Sequence, residues 1–154
     1  MTSPASEVIS ALAGKTLATA ESCTGGMIGE MLTAVAGSSA VYKGGIISYW
    51  SQVKQSLLSV DGELLREFGA VSASVAEAMV KGARKALDAD VAVSVTGLAG
   101  PGGDDFGNPV GTVFIGYADA ERTVVQEHHF SGDREAVRRQ AAAAALELIL
   151  KNCK

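Results

Sequence analysis

The sequence predicts an α/β fold, a three-layer α/β/α sandwich around a mixed β-sheet, organised as one domain over residues 1–154. Three observations predict it. Short β-branched runs alternate with stretches whose apolar residues recur at helical spacing. "DVAVSVTG" (90–97) is continuously apolar, as expected of a strand covered on both faces. Two further β-rich runs, "GTVFIGYADA" and "RTVVQEHHF", flank "DAER" and read as a hairpin, which adds antiparallel pairing to the sheet.

The elements follow in order. Pro4 to Leu12 reads as a short amphipathic helix ending at Gly14, and "TLATA" as a buried strand. From Gly25 to Val35, Met27, Ile28, Met31, Leu32 and Val35 recur at helical spacing, and "AGSS" ends that helix. "AVYKGGIISYW" is β-branched and aromatic, with Gly44 and Gly45 marking a bulge or a close backbone approach. Ser51 can cap a short helix through Leu58, and "DGELLREFG" supplies another turn or two. Ser72 or Ser74 can cap "VAEAMVKGARKAL", Glu77 completing a capping box for Ser74. A glycine-rich loop follows the apolar strand, then the hairpin, then a long helix from about Asp133 to Lys151.

Composition narrows the function classes. Apolar residues make up 47% and charged residues 19%, a globular balance. The net charge of -4 argues against a protein whose main task is to neutralise nucleic-acid phosphates. Cys23 and Cys153 offer neither zinc spacing nor a disulfide framework. No run reaches the roughly 18 to 20 apolar residues of a membrane span, and "QAAAAALELIL" reads as a buried helix. With no signal peptide visible, a soluble cytoplasmic domain with no membrane partner is expected.

Three polar clusters fall at strand ends or helix starts, where open α/β sheets hold their ligands. In "ESCTGG", a serine between a buried strand and a helix lies beside free backbone amides that can hold an oxyanion or a phosphate. Ser22 or Thr24 can equally be a plain helix cap. The pattern is not the G-x-S-x-G nucleophile elbow. In "SYWSQVK", Lys54 sits in the first turn of a short helix, whose dipole disfavours the ammonium form. Burial there would make it a neutral base; a solvated lysine is the plainer alternative. In "TGLAGPGGDDFGNPVG" the glycines permit close approach of a ligand to the backbone, but the spacing matches neither a P-loop nor a dinucleotide fingerprint. In the last helix, Arg134 and Arg138 share a face one turn apart, fitting either an anion or a subunit contact. His128 and His129 point to opposite faces of a strand and make a poor metal signal.

With these residues laid out, the blocks "TAESCTGG", "AGSSAVYKGGIISY", "GAVSASVAEAM", "TGLAGPGG", "PVGTVFIGYA" and "FSGDREAVRRQ" resemble, in order, those of the CinA C-terminal family, the nicotinamide-nucleotide amidases. The resemblance covers the chain from about Ser6 onward and is to the stand-alone form. It implies a three-layer α/β/α domain that hydrolyses the carboxamide of nicotinamide mononucleotide, giving nicotinic acid mononucleotide and ammonia for NAD recycling. It implies a serine, a tyrosine and a lysine in catalysis, which fall on Ser22, Tyr49 and Lys54. Ser22 would attack, Lys54 would take its proton directly or through Tyr49, and amides near Thr24 to Gly26 would hold the oxyanion. The oxyanion and substrate-binding set under this resemblance is Cys23, Thr24, Gly25, Gly26, Ser39, Gly45, Thr96, Gly97, Ala99, Gly100 and Pro101. No metal and no cofactor are implied; the partner is a small nucleotide, with a homo-oligomer expected and a dimer plausible for the family. Two departures concern the substrate: Tyr49-Trp50-Ser51 stands where the family commonly reads Tyr-Ser-Asn, and Asn108-Pro109 where it often has Lys-Pro.

Other readings stay open at this point. The pocket could serve a binding or regulatory module linked to competence or DNA damage. Ser22 could work with His128 or His129, or the substrate could be a different small amide.

Overall fold

The computed structural model describes residues 3–153. Strands β1 (Leu17–Glu21), β2 (Tyr42–Ile47), β3 (Val91–Gly97), β4 (Thr112–Ala118) and β5 (Thr123–His129) form one sheet in the order β2-β1-β3-β4-β5. β1 pairs in parallel with both β2 and β3, whereas β3-β4 and β4-β5 are antiparallel, so the sheet is mixed as the sequence predicts. Helices α1 (Pro4–Ala11), α2 (Met27–Thr33) and α6 (Arg134–Asn152) share one core with the sheet. Helices α3 (Ser51–Leu58), α4 (Gly62–Phe68) and α5 (Ala73–Ala86) form the other layer. Two covered faces explain why every residue of β1 and every residue of β3 up to Thr96 is buried.

In α6, Val137, Ala141, Ala142, Ala145, Leu146, Leu148 and Ile149 are buried, and the small alanines bring the helix close to the sheet. Its N-cap is Asp133, whose carboxylate accepts from the Ala136 amide at 2.9 Å. Among the described residues no helix is long and apolar enough to cross a membrane.

Several boundaries differ from the sequence reading, each for a local reason. α2 begins at Met27, because Gly25 and Gly26 adopt φ of 59° and 106° and belong to the loop. β2 is shorter than 40–50: Ser38–Ala40 forms a 3₁₀ turn ahead of it, and the chain leaves the sheet after Ile47. The register irregularity falls at Lys43, since Leu17 faces Tyr42 and Ala18 faces Gly44; Gly44 and Gly45 pair regularly, and the close backbone approach expected there is found at Gly45, against Thr19. Trp50, not Ser51, holds the cap position of α3 and makes no side-chain cap bond. Ser72 caps α5, accepting from the Val75 amide, so the Ser74–Glu77 capping box does not form and Glu77 pairs with Lys81 instead.

The parallel strands end together. Glu21 lies level with Ile47 of β2 and Val95 of β3, so the segments after all three strands emerge at one edge of the sheet. The helices that follow β1 and β2 pack on opposite faces, which opens a crevice at that edge.

α3 is held in place by a close approach at its far end. A Cβ on Gly82 of α5 would lie 1.9 Å from the Leu58 carbonyl oxygen. Glycine at a helix interior normally weakens the helix, yet here the contact needs it. Gly82→Ala is expected to lower the unfolding free energy by about 1–3 kcal/mol, the range for overpacking, rather than raise it. A urea denaturation curve checks the sign.

Candidate active site

A cleft of about 380 Å³ lies at the carboxyl edge of the parallel strands, at the small end of the range for ligand pockets. Ser22 and Cys23 from the turn after β1, Tyr49 and Lys54 from the β2–α3 segment, and Thr96 to Gly102 after β3 line it, with Ala70, Val71 and Arg134.

Ser22 continues the β1–β3 ladder by donating its amide to the Val95 carbonyl, and its own carbonyl accepts from the Gly25 amide at 3.1 Å. Those two bonds fix the turn that presents the hydroxyl. Lys54 reaches that hydroxyl from α3: its Nζ lies 3.0 Å from Ser22 Oγ, 2.6 Å from the Ser48 carbonyl oxygen and 3.4 Å from that of Tyr49. The side chain is 1% exposed, and desolvation draws its pKa from 10.5 down to about 8. Among the described residues, no carboxylate pairs with the amine to hold the proton on it. A neutral amine has two N–H donors and one lone pair. As an ammonium, Lys54 donates to all three oxygens; once it is neutral, the two carbonyls keep its N–H groups and the lone pair is left for the Ser22 hydroxyl.

Cys23 is chemically quiet. Burial pushes its thiol up to about 11, against weaker opposing pulls from its own backbone N–H, Arg138 and Lys54, so it is a neutral thiol at physiological pH.

The structure redraws part of the predicted machinery. Tyr49 lines the cleft, but its side chain is 56% exposed and its hydroxyl accepts from Arg134 at 3.0 Å; only its backbone carbonyl reaches Lys54. The phenol therefore cannot relay the proton in this arrangement, and Lys54 meets Ser22 directly. Arg134 also donates to the Gly100 carbonyl at 2.5 Å, bridging two walls of the cleft.

The helix-start amides expected to hold an oxyanion are largely committed. Gly25 donates to Ser22, Met27 to Thr24, and Gly26 to a carboxylate oxygen of Glu21. Glu21 also accepts from the Thr24 hydroxyl at 2.6 Å and from the amides of Ile28 and Gly29. Neither Ser22 nor Thr24 caps α2; the capping acceptor is this 2%-exposed glutamate at the end of β1. Among the described residues of the turn, the amides of Cys23 and Thr24 find no backbone or carboxylate acceptor.

Glu21 was missed by reasoning from sequence. The available signal was an acid closing an apolar strand just before a glycine pair, where open helix amides need an acceptor.

In the glycine-rich loop, Thr96, Gly97, Ala99, Gly100 and Pro101 all line the cleft, as do Leu98 and Gly102. Thr96 donates its hydroxyl to the Ala70 carbonyl, and a Cβ on Gly97 would lie 2.6 Å from Val113. Ser39 and Gly45 lie outside it. Ser39 is exposed in the 3₁₀ turn, and Gly45 is required by packing, since its Cβ would fall 2.1 Å from Thr19 Oγ1. Arg138 does not line the cleft; it binds the Cys23 and Thr24 carbonyls from outside.

The departures noted at Trp50, Ser51 and Asn108 are also off the cleft wall. Trp50 and Ser51 are exposed, and Asn108 ties Asp104 to the Val71 carbonyl, holding the far end of the loop. Neither histidine lines the cleft: His128 stacks on Phe130 and contacts Gln126, and His129 contacts Glu127. A serine–histidine pairing has no support.

Glu21→Gln replaces one acceptor oxygen by a donor facing backbone N–H groups. It is expected to lower stability by about 2 kcal/mol or more, given the worth of charged hydrogen bonds. Thermal unfolding beside the wild type measures it.

Comparison with known proteins gives a consistent result. The profile of the CinA C-terminal domain matches residues 2–153. A CinA-like protein of Geobacter sulfurreducens is 48% identical over 134 residues, 87% of this chain and 32% of the relative. The chain thus spans about a third of the length of such curated relatives. The crystal structure of the competence/damage inducible protein CihA from Agrobacterium tumefaciens superposes with a TM-score of 0.93 at 38% identity, over 96% of this chain and 92% of that one. A CinA superfamily protein from Klebsiella pneumoniae 700603 gives 0.94 at 34% identity, over 97% and 95%.

Proposed function

The chain belongs to the CinA C-terminal domain family, and from that premise we propose that it is a serine–lysine amidase acting on nicotinamide mononucleotide. The observation that carries the reading is the buried Lys54 amine, 3.0 Å from the Ser22 hydroxyl with its N–H groups directed to two carbonyls. A serine needs a base to become a nucleophile, and a desolvated amine without a carboxylate neighbour is one.

Ser22 Oγ attacks the carboxamide carbon while its proton passes to Lys54 Nζ. The oxyanion that forms is met by backbone N–H groups of the turn, Cys23 and Thr24 being those without another acceptor. Lys54 then returns the proton to the amide nitrogen, the C–N bond breaks and ammonia leaves. A water molecule, losing its proton to Lys54, attacks the acyl ester; the C–O bond to Ser22 breaks and Lys54 restores the hydroxyl proton. The sequence of steps needs no further group.

The charge of the cleft supports an anionic substrate. Among the residues that line it, only Lys54 and Arg134 carry formal charge when protonated, and no carboxylate does. Arg134 bonds only neutral oxygens, so its positive charge is available to a phosphate at the rim.

Ammonia release from nicotinamide mononucleotide tests the reading. Below pH 8 Lys54 is protonated and cannot accept, so kcat/KM is expected to rise with pH and level off above about 8. Ser22→Ala is expected to abolish turnover, and Lys54→Ala to reduce it about 10²–10⁴-fold with loss of that limb. Wild-type protein that binds the nucleotide but releases no ammonia at any pH would contradict the assignment.

A further inference from the structure

Arg138 lies on the outer side of the nucleophile turn. Its Nε donates to the Cys23 carbonyl and an Nη to the Thr24 carbonyl, both at 3.0 Å. It comes from α6, more than a hundred residues from the turn, with Val137 and Ala141 of the same helix fully buried beside it. Among the described residues it forms no ion pair with an acid.

The consequence follows from the peptide plane. In a planar trans peptide the C=O and the following N–H point in opposite directions. With the Cys23 carbonyl held by Arg138, the Thr24 N–H must project to the other side of the turn. With the Thr24 carbonyl held, the Gly25 N–H is likewise turned away, and it is found on the Ser22 carbonyl at 3.1 Å. The Ser22 carbonyl, engaged in that bond, in turn sets the direction of the Cys23 N–H. The two amides without an acceptor, Cys23 and Thr24, therefore have their orientations set by a chain of bonds that begins at Arg138. Glu21 holds the far side of the same turn through the Thr24 hydroxyl and the Gly26, Ile28 and Gly29 amides.

We propose that Arg138 is a positioning residue for the oxyanion hole: its guanidinium fork, seated on the Cys23 and Thr24 carbonyls, turns the Cys23 and Thr24 amides to where the carboxamide oxygen becomes negative. The inference rests on the serine–lysine reading above. The charge contributes as well as the fork. Arg138 is the strongest cation acting on the Cys23 side chain, so its field reaches the turn in which the negative charge develops.

This role differs from structural support in what it affects. Preorganised donors act on the transition state and leave substrate affinity almost untouched. Arg138→Ala is expected to lower kcat for ammonia release about 10²-fold, the scale of a lost oxyanion donor, with KM within about twofold of wild type. Millimolar guanidinium should restore part of the lost kcat in that variant and none in Ser22→Ala. Arg138→Lys keeps the charge but covers only one carbonyl, and is expected to fall between the two. If Arg138→Ala fails to fold by circular dichroism, Arg138→Lys alone decides, through the same fall in kcat at constant KM.

An active wild type whose Arg138 variants fold and keep full kcat, or lose only KM, would overturn this inference and leave the amidase reading standing. A wild type that releases no ammonia would overturn both.

Discussion

The structure depends on burying one amine without a counter-charge. Lys54 is carried into the interior by the first turn of α3, and among the described residues its nitrogen is met by neutral oxygens only. A carboxylate in contact would hold the proton and make the lysine an ion-pair partner. The Ser48 and Tyr49 carbonyls satisfy its N–H groups and leave its basicity to the serine. Much of the local architecture serves that placement: the sharp exit after Ile47, the unadorned Trp50 cap, and the bare Gly82 against which α3 comes to rest.

The same constraint explains how the neighbouring acid is handled. Glu21 precedes the nucleophile in sequence, and a free carboxylate there would compete for the proton on Lys54. Its two oxygens instead accept from four donors at the start of α2. The helix thus receives its negative cap from the strand behind it, and the turn between them needs no capping side chain of its own. Ser22 is free of that duty. Glu21 on the amide side and Arg138 on the carbonyl side hold the turn between opposite charges, each bonded to neutral backbone.

Much of this was legible in the sequence where the signal is local. The apolar run 90–97, the helical spacing from Met27 onward and the hairpin around "DAER" depend on neighbours along the chain, and the observed elements follow them. Lys54 at the start of a short helix and the cleft-lining loop from Thr96 to Pro101 could be read for the same reason. What could not be read depends on pairs far apart. Arg138 meets Cys23 across 115 residues, and Arg134 meets Tyr49 across 85. Sequence identifies Tyr49 but not that its carbonyl, rather than its phenol, reaches the lysine. Gly45 looked available to a ligand, whereas it is a packing necessity against Thr19. Helix starts were misread by a residue or two where the cap came from elsewhere, as with Glu21 for α2.

Burial, not a neighbouring charge, governs Lys54 and draws its pKa down to about 8, so that a neutral fraction large enough to act as a base is present near physiological pH. Titration of the Lys54 side chain by nitrogen-detected NMR, in protein labelled at lysine, reads its protonation without reference to turnover. A single transition with a midpoint near 8 is expected, well below the ordinary 10.5. A midpoint at or above 10 would mean that the amine stays charged beside Ser22, and the serine–lysine account would fall with it.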